Sequence, residues 1–511
     1  MSKISEAFSQ IGPDFNMAPF AFILGPYIDE VLDEQGLNTF RKGTILINRL
    51  LMWLILMLTI RRDLSYNKVL NWMVSGYRWI KKMLPPKNKI VKDGTISKAR
   101  IKLGVKPLKA LFYKLRAAFV SWPKDFYKWT SLSADGTTIT MPDTLENIDK
   151  FKKPSSRKGS SGFPQVRMMS LLINPLHLIF DIEYAPYSGK KTGERTLLMN
   201  LIERFQALSI NSFLFLLDAG LYSTAMLWQI KQKGQDFIIK APSNVKLKSI
   251  KQLADGSFIA LLTHKVLDLD APPRRDGKKS WKKVSITVRI IEFEIPGFRP
   301  VRLVTTILDE TITAREIALH YHSRWEIEIA YDDIKTHQSA TLRGQLPTVL
   351  RSKRPDLVLQ ELYAILIMYN SIRLLIHQAA IKHNKDPILI SFSDALEHII
   401  SASPNMIAQS QEEQQEGFAY LLELIADCEI DRPRRPRVNP RVVKVKMSSF
   451  ARKNKNHKSE KRNLADELTI IFPPGFSLNS ILKMRKDEFN QTKRKRPPKY
   501  KPEEIPLRRA A

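Results

Sequence analysis

TAREIALHYHSRWEIEIAYDDIKTH, residues 313–337, is the stretch around which the chain is organised. No Gly or Pro interrupts it, and Thr311 or Thr313 supplies an N-cap, so it reads as one helix. Tyr321, Arg324, Glu328 and Lys335 stand at offsets of 0, 3, 7 and 14. At about 100° per residue these offsets fall within roughly 60° of one another, a stripe about four turns long. Ile327, Ala330 and Ile334 project from the opposite side and give the helix an apolar back to bury. A carboxylate flanked by a guanidinium and an ammonium suits a group that holds a metal ion beside a phosphate. Ordinary helix charge pairs on a solvated face give the same pattern. The stripe alone leaves both readings open.

Upstream, SFLFLLD (212–218) is a short continuous apolar run, as a buried central strand requires. Asp218 ends it, before AGLYS and a helix over 222–233. An acid at the carboxyl end of a buried strand faces the crevice where α/β sheets bind ligands; it could also cap the helix that follows. KWTSLSADGTTITM (128–141) has strand composition, with Asp135-Gly136 where the strand passes into a turn, a common hairpin signal. Strands are predicted at 163–173 and 176–184, around an Asn174-Pro175 turn, then a helix at 194–208 and a strand at 235–240. The Lys- and Ser-rich segment 150–162 could close over phosphate or serve as a flexible loop. Gly189-Lys190 lacks the P-loop spacing. This succession of three strands, helix, strand, helix, strand is that of an RNase H-like fold. About 70 β-patterned residues, with strands at 257–267, 283–294 and 300–307, separate it from the key helix.

Tyr, two residues, Arg, three residues, Glu, six residues, Lys resembles the signature of DDE transposases of bacterial insertion sequences, in the insertion-sequence-four family. ADGT around Asp135 and DAGLYS from Asp218 are similar to the settings of that family's first and second catalytic acids. The resemblance implies a catalytic triad of Asp135, Asp218 and Glu328, with a β-rich insertion between the second and third. It implies two Mg²⁺ ions, with Mn²⁺ able to substitute: Asp135 bridging, Asp218 on one ion and Glu328 on the other. Mg²⁺ takes oxygen ligands and keeps several waters, and two ions roughly 3.5–4 Å apart serve in-line displacement at phosphorus. The three carboxylates, 83 and 110 residues apart in sequence, are expected to converge. Mutual repulsion should raise at least one pKa. Tyr321, Arg324 and Lys335 are expected at the rim, on DNA phosphates. Trp281 and Trp325 are candidates for stacking on an extruded base, or plain packing aromatics.

Charge points the same way. The 511 residues carry 82 Lys+Arg against 51 Asp+Glu, +31, which calls for a polyanionic partner, most often nucleic acid. The single Cys428 excludes an internal disulfide and a cysteine zinc site. His320 and His322 lie too close on a helix to share a metal. The N-terminus has no signal-peptide pattern. LLMWLILMLTI (50–60) is too short for a span of roughly 20 residues and reads as a buried helix.

The fold class expected is therefore α/β: an RNase H-like catalytic core with a β-rich insertion, preceded by a helical domain and followed by helices and a basic tail. The boundaries are 1–125 for helices that bind DNA ends, with pieces at 18–34, 38–60, 64–82 and 95–120. The core takes 126–240 and 308–382, the insertion 241–307, C-terminal helices 383–430 and an extended tail 431–511. Lys98, Arg100, Lys102, Lys106 and Lys109 form a helix–turn–helix-like surface that could lie on DNA or on solvent. The tail holds 24 Lys+Arg and 8 Asp+Glu and reads as extended. RVNPRVVKVKMSSF (437–450) resembles the family's C-terminal basic motif. The partners implied are double-stranded DNA, as terminal inverted repeats and target, and a second copy of the chain in a synaptic homodimer, in the bacterial cytoplasm at the nucleoid and away from membranes. The rival readings are a transposase-derived DNA-binding protein that no longer cuts, and a stand-alone RNase H-like nuclease.

Overall fold

Seven helices open the chain: α1 (Lys3–Ile11), α2 (Ala21–Glu34), α3 (Asn48–Met57), α4 (Tyr66–Met73), α5 (Ser75–Trp79), α6 (Asp93–Leu103) and α7 (Lys106–Ala117). The structure is a computed structural model describing residues 3–472, apart from 13, 42–43, 80–81, 83–90, 118–122, 157–158, 161, 205–211, 243, 246, 269–278, 297, 339–349, 431–436, 439–441, 444–451 and 454–461. The basic tail beyond 472 and most of the motif at 437–450 lie outside the described residues. The apolar run at 50–60 is buried throughout because α3 sits inside the helical layer. Arg100 departs from expectation. It is fully buried, donating to Gln360 Oε1, the Tyr66 hydroxyl, Ser352 Oγ and the Leu357 carbonyl, with Glu361 3.7 Å away. It therefore fastens α6 to the core and cannot face DNA. Lys98, Lys102, Lys106 and Lys109 remain exposed.

The sheet is laid down next: β1 (Trp129–Thr140), then α8 (Leu145–Phe151), β2 (Gln165–Ile173), β3 (Leu178–Pro186), α9 (Glu194–Arg204), β4 (Ser212–Leu217), α10 (Thr224–Gln232) and β5 (Asp236–Lys240). β2 runs antiparallel to β1 and to β3; β4 runs parallel to β1 and to β5. The β3-β2-β1-β4-β5 order with a reversal at β1/β4 is the RNase H-like core. β4 is apolar on both faces because both are covered. Phe213, Phe215 and Leu217 enter the main core, and Leu214 and Leu216 a second one. Each such side chain contributes roughly 1.5–3 kcal/mol on full burial.

β6 (Ser249–Gln252), β7 (Phe258–Leu267), β8 (Trp281–Glu294) and β9 (Val301–Thr305) make up the insertion. β9 pairs antiparallel with β5, so these strands continue the same sheet instead of standing apart. The key stretch follows as α11 (Ala314–Tyr321), a 3-10 turn at His322–Trp325, α12 (Glu326–Asp332) and a π-helical turn at Asp333–His337. Thr313 is its N-cap, in a reciprocal capping box with Glu316. The absence of Gly and Pro keeps it helical, but tightened and then widened turns replace a uniform helix.

Behind it lies α13 (Pro355–Lys382), apolar on nearly every side because it is enclosed by α3, α7, α14 (Phe392–Met406) and α15 (Gln411–Asp427). Asn370 of α13 accepts from Ile179 N and donates to Ile179 O, tying it to β3. α13 is the one described helix long and apolar enough to cross a membrane, and 89% of its apolar window is buried in the fold. One part of the tail is not extended and free. α16 (Leu464–Glu467) and β10 (Thr469–Ile470) fold back, and β10 pairs antiparallel with β8. Leu464, Leu468 and Ile470 complete the second core beneath α11.

Candidate active site

Asp135 and Asp218 come together through strand register. β1 and β4 are parallel and Ala134 pairs with Leu217, so the two acids are the next residue of each strand. Adjacent strands lie about 4.8 Å apart. Asp218 remains extended, with φ −80° and ψ 160°. Both acids share the face of α11: Ser131, two pairs before Asp135, meets His320 Nε2 at 2.7 Å, and Leu216 packs with Ile317 and Tyr321. Asp135-Gly136 is not a turn. β1 runs on to Thr140, pairing Asp135 with Ser170 and Gly136 with Met169 of β2. The parallel partner ends at Leu217, and that ending opens the crevice. Asp218 does not cap α10 either; Ser223 does, and the Asp218 side chain makes no capping bond.

Glu328 stands on the first turn of α12, with its side chain 37% exposed. Arg324 Nη2 donates to Glu328 Oε1 at 3.0 Å. Arg324 itself is buried, which corrects the expected rim position. Burial disfavours its charge, but Tyr321, Glu328 and Asp218 outweigh that and hold it protonated. Asp135 also feels it. Burial pushes the Asp135 carboxyl up to about 6, against the Gly136 N–H and Arg324, with Glu328 and Glu194 adding repulsion. One guanidinium thus acts on all three carboxylates at once.

Tyr321 is buried and its hydroxyl donates to the Leu217 carbonyl at 2.9 Å. Its single proton is committed there, so Tyr321 anchors the helix to the end of β4 instead of meeting a phosphate. Lys335 is half-buried and its ammonium donates to Thr137 Oγ1, two residues past Asp135. Burial lowers its pKa, with Asp135 opposing. The rings of Trp325 and Trp281 are 46% and 61% exposed, and the Arg324 guanidinium lies 5.0 Å from the centroid of Trp325.

Sequence reading missed the groups that fix these positions. Tyr331 donates its hydroxyl to the Asp135 carbonyl at 2.7 Å. On the other face of the helix, Glu326 meets His177 at 2.6 Å and Asp333 is paired with Arg373, all four side chains buried. They line a cavity of about 160 Å³ with Asp386 and His337. Glu194, at the start of α9, lies over Gly136. The only local signal was GER at 193–195, which says nothing of β1.

The donor chemistry suits a hard divalent cation, since every group offered is a carboxylate. Among the described residues, no three of the His, Cys, Asp and Glu side chains are grouped closely enough to hold one ion together. Glu328 is engaged by Arg324. Strand register thus sets the two aspartates side by side, while Glu328 is held by Arg324.

A parallel-sheet crevice with two register-matched aspartates and a helix-borne glutamate is the arrangement expected of a DDE-type phosphoryl-transfer enzyme. Residues 130–371 match the family described as Transposase DDE domain, and residues 23–113 match Insertion element 4 transposase N-terminal. The chain is 27% identical over 444 residues, 82% of its length and 91% of the other, to transposase InsG for insertion sequence element IS4 of Escherichia coli (strain K12). Among solved structures, the piggyBac transposase synaptic complex with hairpin DNA is similar over 82% of this chain and 84% of that one, at 9% identity and a TM-score of 0.39. The chain belongs to the IS4 family of DDE transposases. It is a DNA transposase, an enzyme whose DNA cleavage depends on divalent metal ions.

Proposed function

We propose that Asp135, Asp218 and Glu328 are the catalytic acids, cutting DNA at the element's terminal inverted repeats and joining the freed 3′-hydroxyl to target DNA. The observation that carries this reading is the Ala134–Leu217 register, which sets two acids side by side on the face that Arg324 and Glu328 approach. The strand-borne aspartates form the rigid part of the centre. Glu328 is the adjustable part, because its partner is a side chain one helical turn away and it keeps solvent access. Mg²⁺, or Mn²⁺ in its place, would be held by these three carboxylates and supplies Lewis acidity that activates the attacking oxygen and stabilises the leaving one. Arg324 keeps the acids from repelling one another before a cation arrives. Lys335, beside Asp135, reaches for a flanking phosphate.

The N-terminal helices, with Lys98, Lys102, Lys106 and Lys109 exposed, contact the element ends. The basic tail adds general affinity. Two copies pair the two ends in a synaptic complex, in the bacterial cytoplasm where nucleoid DNA is accessible. Glu328→Gln tests the assignment: cleavage of supercoiled donor plasmid carrying the element's ends should be lost while DNA affinity, spread over many phosphate contacts, stays near wild type. Cleavage within about tenfold of wild type, roughly 1.4 kcal/mol of barrier, removes Glu328 from the centre.

A further inference from the structure

The turn between β2 and β3 reaches both halves of the site. Asn174, Pro175, Leu176 and His177 form it, and the His177 N–H closes it by donating to the Asn174 carbonyl at 3.2 Å. Asn174 Oδ1 accepts from Ser133 N, two residues before Asp135 on β1, at 3.2 Å. Its Nδ2 donates to the Ser323 carbonyl at 3.0 Å and to Ser323 Oγ at 3.2 Å, in the 3-10 turn that carries Arg324. His177 Nε2 meets Glu326 Oε2 at 2.6 Å, two residues before Glu328. Asn174, His177 and Glu326 are all buried, and buried amides and carboxylates are costly unless they are bonded. The turn is itself anchored: Ile173 pairs with Leu132 of β1, and Asn370 of α13 holds both backbone groups of Ile179. His177 has φ 52° and ψ 34°, in the left-handed region. Gly adopts that conformation without steric cost, so what a histidine adds at this position is its ring.

We propose that Asn174 and His177 are positioning residues, which hold the backbone of the catalytic helix at a fixed place on β1 and so set Glu328 against Asp135. The inference rests on the assignment of those acids above and concerns how they are held. Both residues act through others. One amide bridges Ser133 and Ser323, so a slide of the helix along β1 breaks at least one of its bonds. Glu326 and Glu328 are two residues apart on α12, about 200° around the helix. The His177 contact therefore fixes the rotation of α12 from behind and leaves the Glu328 side chain its solvent access. Such control matters, because misplacing a group at the reacting centre by about 1 Å can cost about 100-fold in rate.

The test is single-turnover cleavage of supercoiled donor plasmid by the full chain with Mg²⁺, with DNA affinity and melting temperature measured on the same preparations. Asn174→Ala removes both arms of the amide. His177→Gly combined with Glu326→Gln removes the second contact, relaxes the left-handed backbone and leaves no carboxylate buried alone. Each should lower the cleavage rate constant by about 100-fold, with DNA affinity and its salt slope unchanged and the half-saturating Mg²⁺ concentration raised. Glu326→Gln alone keeps an acceptor for the ring N–H and should recover most of the rate. A residue that serves only the fold would lower the melting temperature and the fraction of DNA cut, while the enzyme still folded cuts with the wild-type rate constant; that result overturns the proposal. If Asn174→Ala does not fold, the double variant decides alone. Wild-type rate constants beside a Glu328→Gln variant that does not cut overturn the positioning role and leave the acids assigned. Should Glu328→Gln cut within about tenfold of wild type, the assignment of Glu328 fails and takes this inference with it.

Discussion

Arg324 shows what a single residue's spacing reveals and what it hides. The stripe from Tyr321 to Lys335 located the site, but periodicity cannot say how deep a side chain lies. Tyr321 and Arg324 were expected on phosphates and are buried, one bonded to the Leu217 carbonyl and the other to Glu328. Arg324→Ala should therefore cut cleavage by about 100-fold, the scale of a small misplacement at a reacting centre, and leave DNA affinity and its salt slope intact. Weaker binding with the slope reduced by about one would return Arg324 to the phosphate. At the other end of β1, Asp125 is half-buried and accepts from Ser131 N at 2.7 Å. Burial raises its pKa to about 7, with the Ser131 bonds opposing. The unfolded chain releases that proton near 3.9, so between about 4 and about 7 the folded state binds the extra proton. Stability then falls as pH rises through that window and the cost is fully present above it. Asp125→Asn keeps the acceptor and removes the charge. It should raise the melting temperature at pH 8 and change little at pH 4; an equal effect at both would refute the burial cost.

Among the elements, strands with strong composition were readable and irregular helices were not. SFLFLL announces β4 because a strand covered on both faces must be apolar on both. Nothing in HSRW or DIKTH signals a 3-10 or a π turn; those follow from the need to place Tyr321 on β4, Tyr331 on β1 and Lys335 on Thr137 at once. The Asp135-Gly136 hairpin signal misled because β1 runs straight through Gly136 to Thr140, paired with β2 throughout. In the same way, LADELTIIF at 464–472 vanished into a count of basic residues over 81 positions. In the structure Arg315 donates to the carbonyls of Leu468 and Ala465, Ile471 N donates to the Glu292 carbonyl, and Phe472 lies against Gly256. Leu468→Ala should accordingly cost about 2–5 kcal/mol, as for other buried Leu truncations. Removing 462–511 should lower the melting temperature far more than removing 476–511. Equal melting of the two truncations would show that this segment is not part of the second core.

At the scale of the whole molecule, the order of layers was legible because a parallel β1/β4 pair with crossing helices has few alternatives. The continuation of the sheet through β9 was not, since inter-strand pairing leaves no local trace in sequence. Neither was the docking of the N-terminal helices, which depends on Arg100, a residue that composition places on the surface. Net charge is the property that belongs to no single element. From 476 to 511 the chain carries 11 Lys+Arg and 4 Asp+Glu, and the last strand of the sheet ends at Ile470. The fold should survive loss of this segment, so its contribution to binding can be measured alone. Each phosphate neutralised in duplex DNA releases condensed counterions and adds about −0.9 to the slope of log affinity against log salt. If the segment lies on DNA, its deletion should flatten that slope by several units and weaken non-specific binding most at low salt. Cleavage of donor DNA at saturating enzyme should continue, because the proposed catalytic acids Asp135, Asp218 and Glu328 stand on β1, at the end of β4 and on α12, all outside this segment. A deletion variant with the wild-type slope would mean that the tail leaves the phosphates alone and that its charge serves the free protein.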